Sequence, residues 1–180
     1  MAEVVGIGAL GQKFRALRGD SPRLARVMAV AGGGVLKKAA RAKAIANGSR
    51  RTGAMVKNIA IKREKNAPAG TAQYNLGVRH GRDLTKKQKA APGKRLAVNG
   101  RGRVVTRYAD DPYYWGWVEL GHKTVAGKGA GGSLRKRRAA AAGQVAAKPF
   151  IGPTVAEDGP AAIAAMEARL DKEIEKAASP

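Results

Sequence analysis

The sequence predicts an α+β fold: an antiparallel sheet of about four strands packed with a long N-terminal helix and a C-terminal helix, with long basic loops between the elements. Three observations lead there. Apolar residues recur at three- and four-residue steps near both ends of the chain, and short stretches between them alternate apolar with polar. The segments left over are rich in Gly, Pro and Lys and have no period, as surface loops do.

Ser21-Pro22 opens the first helix, because serine caps orphan amides and proline tolerates the first helical position. Leu24, Val27, Met28, Ala31, Val35, Ala39 and Ala42 then form one apolar face. Gly32-Gly33-Gly34 lies inside this helix, and each glycine lowers helix stability by about 1 kcal/mol. A bend, a break or a close crossing by another segment is expected there. Asn47-Gly48 ends the helix. After Thr52-Gly53 the chain turns and becomes strand-like from Ile59 to Glu64. A Pro68-Ala69-Gly70 turn leads into Thr71 to Arg79, where Tyr74, Leu76 and Val78 point one way. This reads as a hairpin. A third strand is expected at about Arg103 to Tyr108 and a fourth at Tyr113 to Leu120. Asp158-Gly159-Pro160 opens the last helix, with Ile163, Met166, Leu170 and Ile174 as its apolar stripe.

With 180 residues, one domain is expected. Its core is assigned to about 20–79, 103–121 and 148–176, with basic insertions at about 80–102 and 122–147. There are 35 Lys and Arg against 13 Asp and Glu, a net charge of +22, so any fold presents a positive field that favours polyanions or acidic protein surfaces. The charge is uneven. Residues 79–107 hold ten bases against Asp83, and 121–149 hold seven bases and no acid, whereas 150–180 has six acids against three bases. Cysteine is absent, which excludes disulfides, thiolate metal sites and Cys nucleophiles. No apolar run approaches the roughly 20 residues that cross a bilayer, and the expectation is a soluble, unprocessed protein without a membrane partner.

No catalytic, metal or cofactor site is expected. The formal G-x-G-x-x-G at Gly127–Gly132 has no βαβ unit around it and reads as a loop. His80 and His122 have no ligand partners at metal-binding spacing. Asp110 and Asp111 beside Pro112 are explained by a turn. Two features carry weight instead. The basic run Arg135, Lys136, Arg137 and Arg138, together with Lys86, Lys87, Lys89, Arg101 and Arg103, suits either solvation or contact with DNA or an acidic neighbour. The aromatic cluster Tyr113, Tyr114, Trp115 and Trp117 suits a core, an interface anchor, or both. Glu119, on an otherwise apolar strand, calls for a basic partner in this chain or the next subunit.

Three segments in order, Arg51-Thr52-Gly53-Ala54-Met55-Val56-Lys57-Asn58-Ile59, then Tyr114-Trp115-Gly116-Trp117-Val118-Glu119-Leu120-Gly121-His122, then Ala147-Lys148-Pro149-Phe150-Ile151-Gly152-Pro153, resemble the pattern of tailed-bacteriophage minor tail proteins of the tail-completion or head-tail joining type. With the flanking helices the resemblance covers most of residues 20–176. Met55 stands where leucine is usual, and the two basic insertions are longer than the family pattern.

The resemblance implies a structural, non-enzymatic virion subunit of the neck, made in the bacterial cytoplasm. It implies a hexameric ring at the head-proximal end of the tail, around a channel for duplex DNA. Its partners would be copies of itself, the connector or stopper, the tail terminator and the tail tube, with no small-molecule substrate and no cofactor. On this expectation Tyr114, Trp115, Trp117, Glu119, Gly121, Pro149 and Phe150 serve the subunit or ring interface. The rival expectation, resting on charge, is a sequence-independent nucleic-acid-binding protein.

Overall fold

The computed structural model describes residues 21–48, 53–99, 101–124 and 143–178, with the single positions 19 and 133. The elements are α1 (Ser21–Ala46), α2 (Ala54–Asn58), β1 (Ile59–Arg63), β2 (Tyr74–Val78), a 3-10 turn (Gly81–Asp83), α3 (Lys86–Ala90), β3 (Arg95–Val98), β4 (Val104–Arg107), α4 (Trp115–Leu120), β5 (His122–Lys123), β6 (Gln144–Val145) and α5 (Ile151–Ala178). The fold class is α+β, as expected. The sheet is not one layer of four strands. Among the described residues the strands pair two by two, β1 with β2, β3 with β4 and β5 with β6. The chain divides into two compact units, one from Met1–Ala39, Ile61–Gly77 and Thr154–Pro180, the other from Ala40–Ala60 and Val78–Pro153.

In the first unit α1 stays helical through its three glycines, and two of them, Gly32 and Gly33, serve the expected close crossing. A Cβ on Gly32 would collide with the Met166 side chain and lie 2.8 Å from Ala162 O of α5, and one on Gly33 would lie 3.0 Å from Ile61 Cδ1. Bare backbone lets the neighbouring elements approach. Leu24 and Ala162 are buried here. The buried face of α5 is rotated from the expected stripe: Ala162 and Glu173 are buried and Met166 and Leu170 half-buried, while Ile163 and Ile174 face outward. Glu173 forms ion pairs with Arg23 of α1 at 3.0 Å and Arg169 at 2.7 Å. The β1–β2 turn falls where Pro68-Ala69-Gly70 placed it, Thr71 N donating to Pro68 O at 3.1 Å.

In the second unit Ala40 and Ala44 of α1 are fully buried and Ala42, expected on the apolar face, is exposed. Met55, Ile59 and Phe150 are the large buried side chains of this core. Arg41 Nη2 donates to Lys57 O and Ile59 O, each at 3.1 Å, satisfying carbonyls where α2 passes into β1.

Three further expectations are corrected here. Residues 80–102 are not a plain loop: they contain the 3-10 turn, α3 and β3. Helix α3 is specified by a capping box, Thr85 Oγ1 accepting from Gln88 N at 3.3 Å and Gln88 Oε1 from Thr85 N at 2.9 Å. Residues 115–120 form a helix, not a fourth strand, because the buried Asp111-Pro112 turn leads directly into helical bonds from Trp115 N to Pro112 O and Trp117 N to Tyr114 O. Aromatic strand preference gives way to that turn. Helix α5 begins at Ile151 instead of at the Asp158-Gly159-Pro160 signal, and Pro160 lies inside it.

Candidate functional site: an aromatic and basic interaction surface

Two polar side chains in the second unit join segments far apart in sequence. Asn58, buried at the end of α2, donates through Nδ2 to Ala54 O at 2.9 Å and Asp110 O at 3.1 Å. Its Oδ1 accepts from Gln88 Nε2 at 2.7 Å, and its carbonyl accepts from Arg79 N at 2.9 Å. Sequence reasoning missed this hub. The only signal was a polar residue between the apolar Met55 and Ile59, which by itself does not separate a surface residue from a buried one.

Glu119 is the second. Its carboxylate accepts from Phe150 N at 2.8 Å, Ile151 N at 3.1 Å and Gly152 N at 3.0 Å, so it caps the first turn of α5 from another part of the chain. No basic side chain is needed, because the orphan amides and the positive end of the helix dipole supply the compensation. The expected basic partner is thus replaced by a helix terminus. Lys148 N donates to Val118 O at 2.8 Å, and Asn47 Nδ2 to Pro149 O at 2.9 Å. Gly121, at φ +72°, sits where a Cβ would be 2.8 Å from Val145 O and 2.9 Å from Ala147 N, so only glycine fits between them. Residues 114–122 and 147–153, separate motifs in the sequence, are one bonded structure.

The helix that carries Glu119 also bears part of the aromatic patch. Tyr113 meets Tyr114 edge-on at 5.7 Å and Trp117 edge-on at 6.0 Å, and Arg107 lies 3.7 Å over the Tyr113 ring. Trp115 is 6.3 Å from His80, and Trp117 5.8 Å from His122. Tyr113 and Trp117 adjoin through a helical turn and not through strand alternation. Tyr113, Trp117 and Leu120 are exposed, Tyr114 and Trp115 half-buried. Phe150 is fully buried and Pro149 is exposed.

The cations lie on α3 and the β3–β4 hairpin. Lys86 and Lys87 are exposed, while Lys89 is half-buried and donates to Arg82 O at 2.7 Å. Arg101 and Arg103 are exposed at the hairpin tip, whose backbone amides are gathered by Asn99 Oδ1 at 2.9 and 3.0 Å. Lys89, Lys94, Arg95, Leu96, Thr106 and Tyr108 line a cleft of about 420 Å³. Its cations and hydroxyls, with no acid among them, suit an anionic group. Arg135, Lys136, Arg137 and Arg138 lie outside the described residues, as does the glycine run 127–132. Only the stem of that segment is described: β5 and β6 pair His122 with Val145 and Lys123 with Gln144.

Asp111 Oδ1 accepts from Gly81 N at 3.0 Å, a turn-stabilising bond. Among the described residues no group of three or more His, Asp or Glu gathers as metal ligands would, and no helix is long and apolar enough to cross a membrane. The arrangement is suited to contacting a surface through edge-on rings, an apolar hairpin face and exposed cations. Comparison with family models, curated proteins and solved structures finds no match to this chain.

Proposed function

We propose that this chain is a structural virion subunit of a tailed phage, a tail-completion or head-tail joining protein forming a ring in the neck around the DNA channel. The observation that carries the reading is the convergence of its motifs. The segments at 114–122 and 147–153, named from sequence as family motifs, are fastened to each other through Glu119, and the described part of the first motif is tied through Asn58 to the turn before the second. An order of short motifs gains meaning when they build one structure that carries an exposed aromatic and basic surface.

In this reading the α1, α2 and Glu119-capped frame forms the annulus. The cations of α3 and the hairpin face an acidic neighbouring subunit or the DNA phosphates. Cryo-EM of the particle that contains this chain tests it. A ring of copies between head and tail tube is the expected result, and absence of the chain from purified particles would refute it.

The rival reading, a sequence-independent DNA-binding protein, draws on the same exposed Lys86, Lys87, Arg101 and Arg103. It requires the purified chain to bind unrelated duplexes alone, with log affinity falling by about 0.9 per phosphate neutralised for each decade of salt. The virion reading expects firm association with tail or connector proteins and weak binding to free DNA.

A further inference from the structure

We infer that copies of this chain associate head to tail, the β3–β4 hairpin of one copy lying on the outward stripe of α5 of the next. The inference names the two surfaces, and rests on the ring reading only for closure of the contact into a ring.

The hairpin register pairs Leu96 with Thr106 and Val98 with Val104, which puts these four side chains on one face. That face is open: Leu96 is 74%, Val98 67% and Val104 66% exposed. A two-stranded ladder is marginal by itself, and an uncovered aliphatic face adds nothing to hold it. The rim is uniformly basic. Residues 84–109 contain no Asp or Glu; Lys89 and Lys94 line one cleft with Leu96 and Thr106, and Arg101 is exposed at the tip, while Arg95 and Arg103 alternate to the other face. The occupant must therefore be apolar and acidic at once.

The same face of another copy cannot be that occupant, because a symmetric pairing would bring cations against cations with no acid to oppose them. Helix α5 offers the complement. Ile163, Glu167, Asp171 and Ile174 follow at steps of four, four and three, so they form one stripe along the helix. Ile163 is 57% and Ile174 43% exposed, and Glu167 and Asp171 are exposed between them. The stripe is roughly 16 Å long at helical rise, and the four-residue ladder about 13 Å at strand rise. Two isoleucines bracketing two carboxylates match three aliphatic side chains flanked by Lys89 and Lys94 at one end and Arg101 at the other. A contact between unlike surfaces is heterologous and propagates from copy to copy, closing where the rotation permits.

The test uses the full chain and two variants at exposed positions. L96D/V98D disables the hairpin and leaves α5 intact; I163K/E167K disables the stripe and leaves the hairpin intact. Circular dichroism melting close to that of the unaltered chain, compared at a dilution where both are monomeric, establishes that both fold. Sedimentation velocity is run at about 0.1 mM, where even a roughly micromolar contact is filled. The unaltered chain is expected to form oligomers that weaken as salt rises. Each variant alone should associate at least about tenfold more weakly. Mixed one to one, the variants should form a heterodimer and nothing larger, because one good hairpin meets one good helix and the other two surfaces are both disabled. A monomeric unaltered chain, a variant that assembles as the unaltered chain does, or a mixture that stays monomeric would each overturn the inference. If the chain is nevertheless found as a ring in particles, the virion reading stands on other surfaces. Head-to-tail oligomers of a chain absent from particles would refute that reading alone.

Discussion

The Glu119 frame and the β3–β4 hairpin both belong to the second unit, both draw on glycine-rich stretches, and they are held in opposite ways. In the frame a single carboxylate gathers three helix amides, Gly121 lets the backbone of 145–147 close in, and Phe150 is buried behind. The hairpin has its four-pair ladder and an asparagine at its tip, and its aliphatic side chains face outward. Where long-range polar bonds reach the backbone, the chain has a fixed interior. Where only neighbouring strands meet, the apolar face remains available to a partner. In a protein with 4% aromatic residues, buried polar anchors do part of the organising that large rings do elsewhere.

If this contrast is right, the frame should be fragile to single substitutions and the hairpin tolerant. The largest effect is expected for Glu119→Ala, which orphans three amides and removes a charge-assisted cap; a loss of about 3 kcal/mol should appear in denaturant melts. Gln at this position should recover part of it, because one carbonyl oxygen still accepts. Asn58→Ala follows at about 2 kcal/mol, since Gln88 Nε2 and Asp110 O lose a partner together. Asn99→Ala should lower stability by about 1 kcal/mol at most, with faster amide exchange confined to the hairpin tip. Leu96→Ser should change global stability by no more than about 0.5 kcal/mol, despite removing a leucine. Measured at a dilution that keeps the chain monomeric, a loss for Leu96→Ser as large as that for Glu119→Ala would break the comparison, because it would mean that the hairpin face is already covered within the chain.

The positions at which sequence reading and structure part share one cause. The helix at 115–120 and the early start of α5 are linked: the α5 turn before Asp158 is stabilised by Glu119, more than thirty residues away along the chain. No local signal marks residues 150–152 as a helix start, and Asp158-Gly159-Pro160 carries a local signal that the tertiary cap overrides. The outward turn of Ile163 and Ile174 likewise follows from which face of α5 meets Gly32, a choice that helical periodicity leaves open by one residue.

By itself the sequence determined the two terminal helices, the turn at Pro68–Gly70, the helix stop at Asn47-Gly48 and the basic field, because spacing within a few residues and the backbone limits of Gly and Pro are local physics. Only the tertiary structure decided that Glu119 caps a helix, that Asn58 is a buried hub and that the hairpin and the outer stripe of α5 remain uncovered. Those outcomes depend on which backbone amides and carbonyls are left without partners once the elements pack, and that is known only after packing.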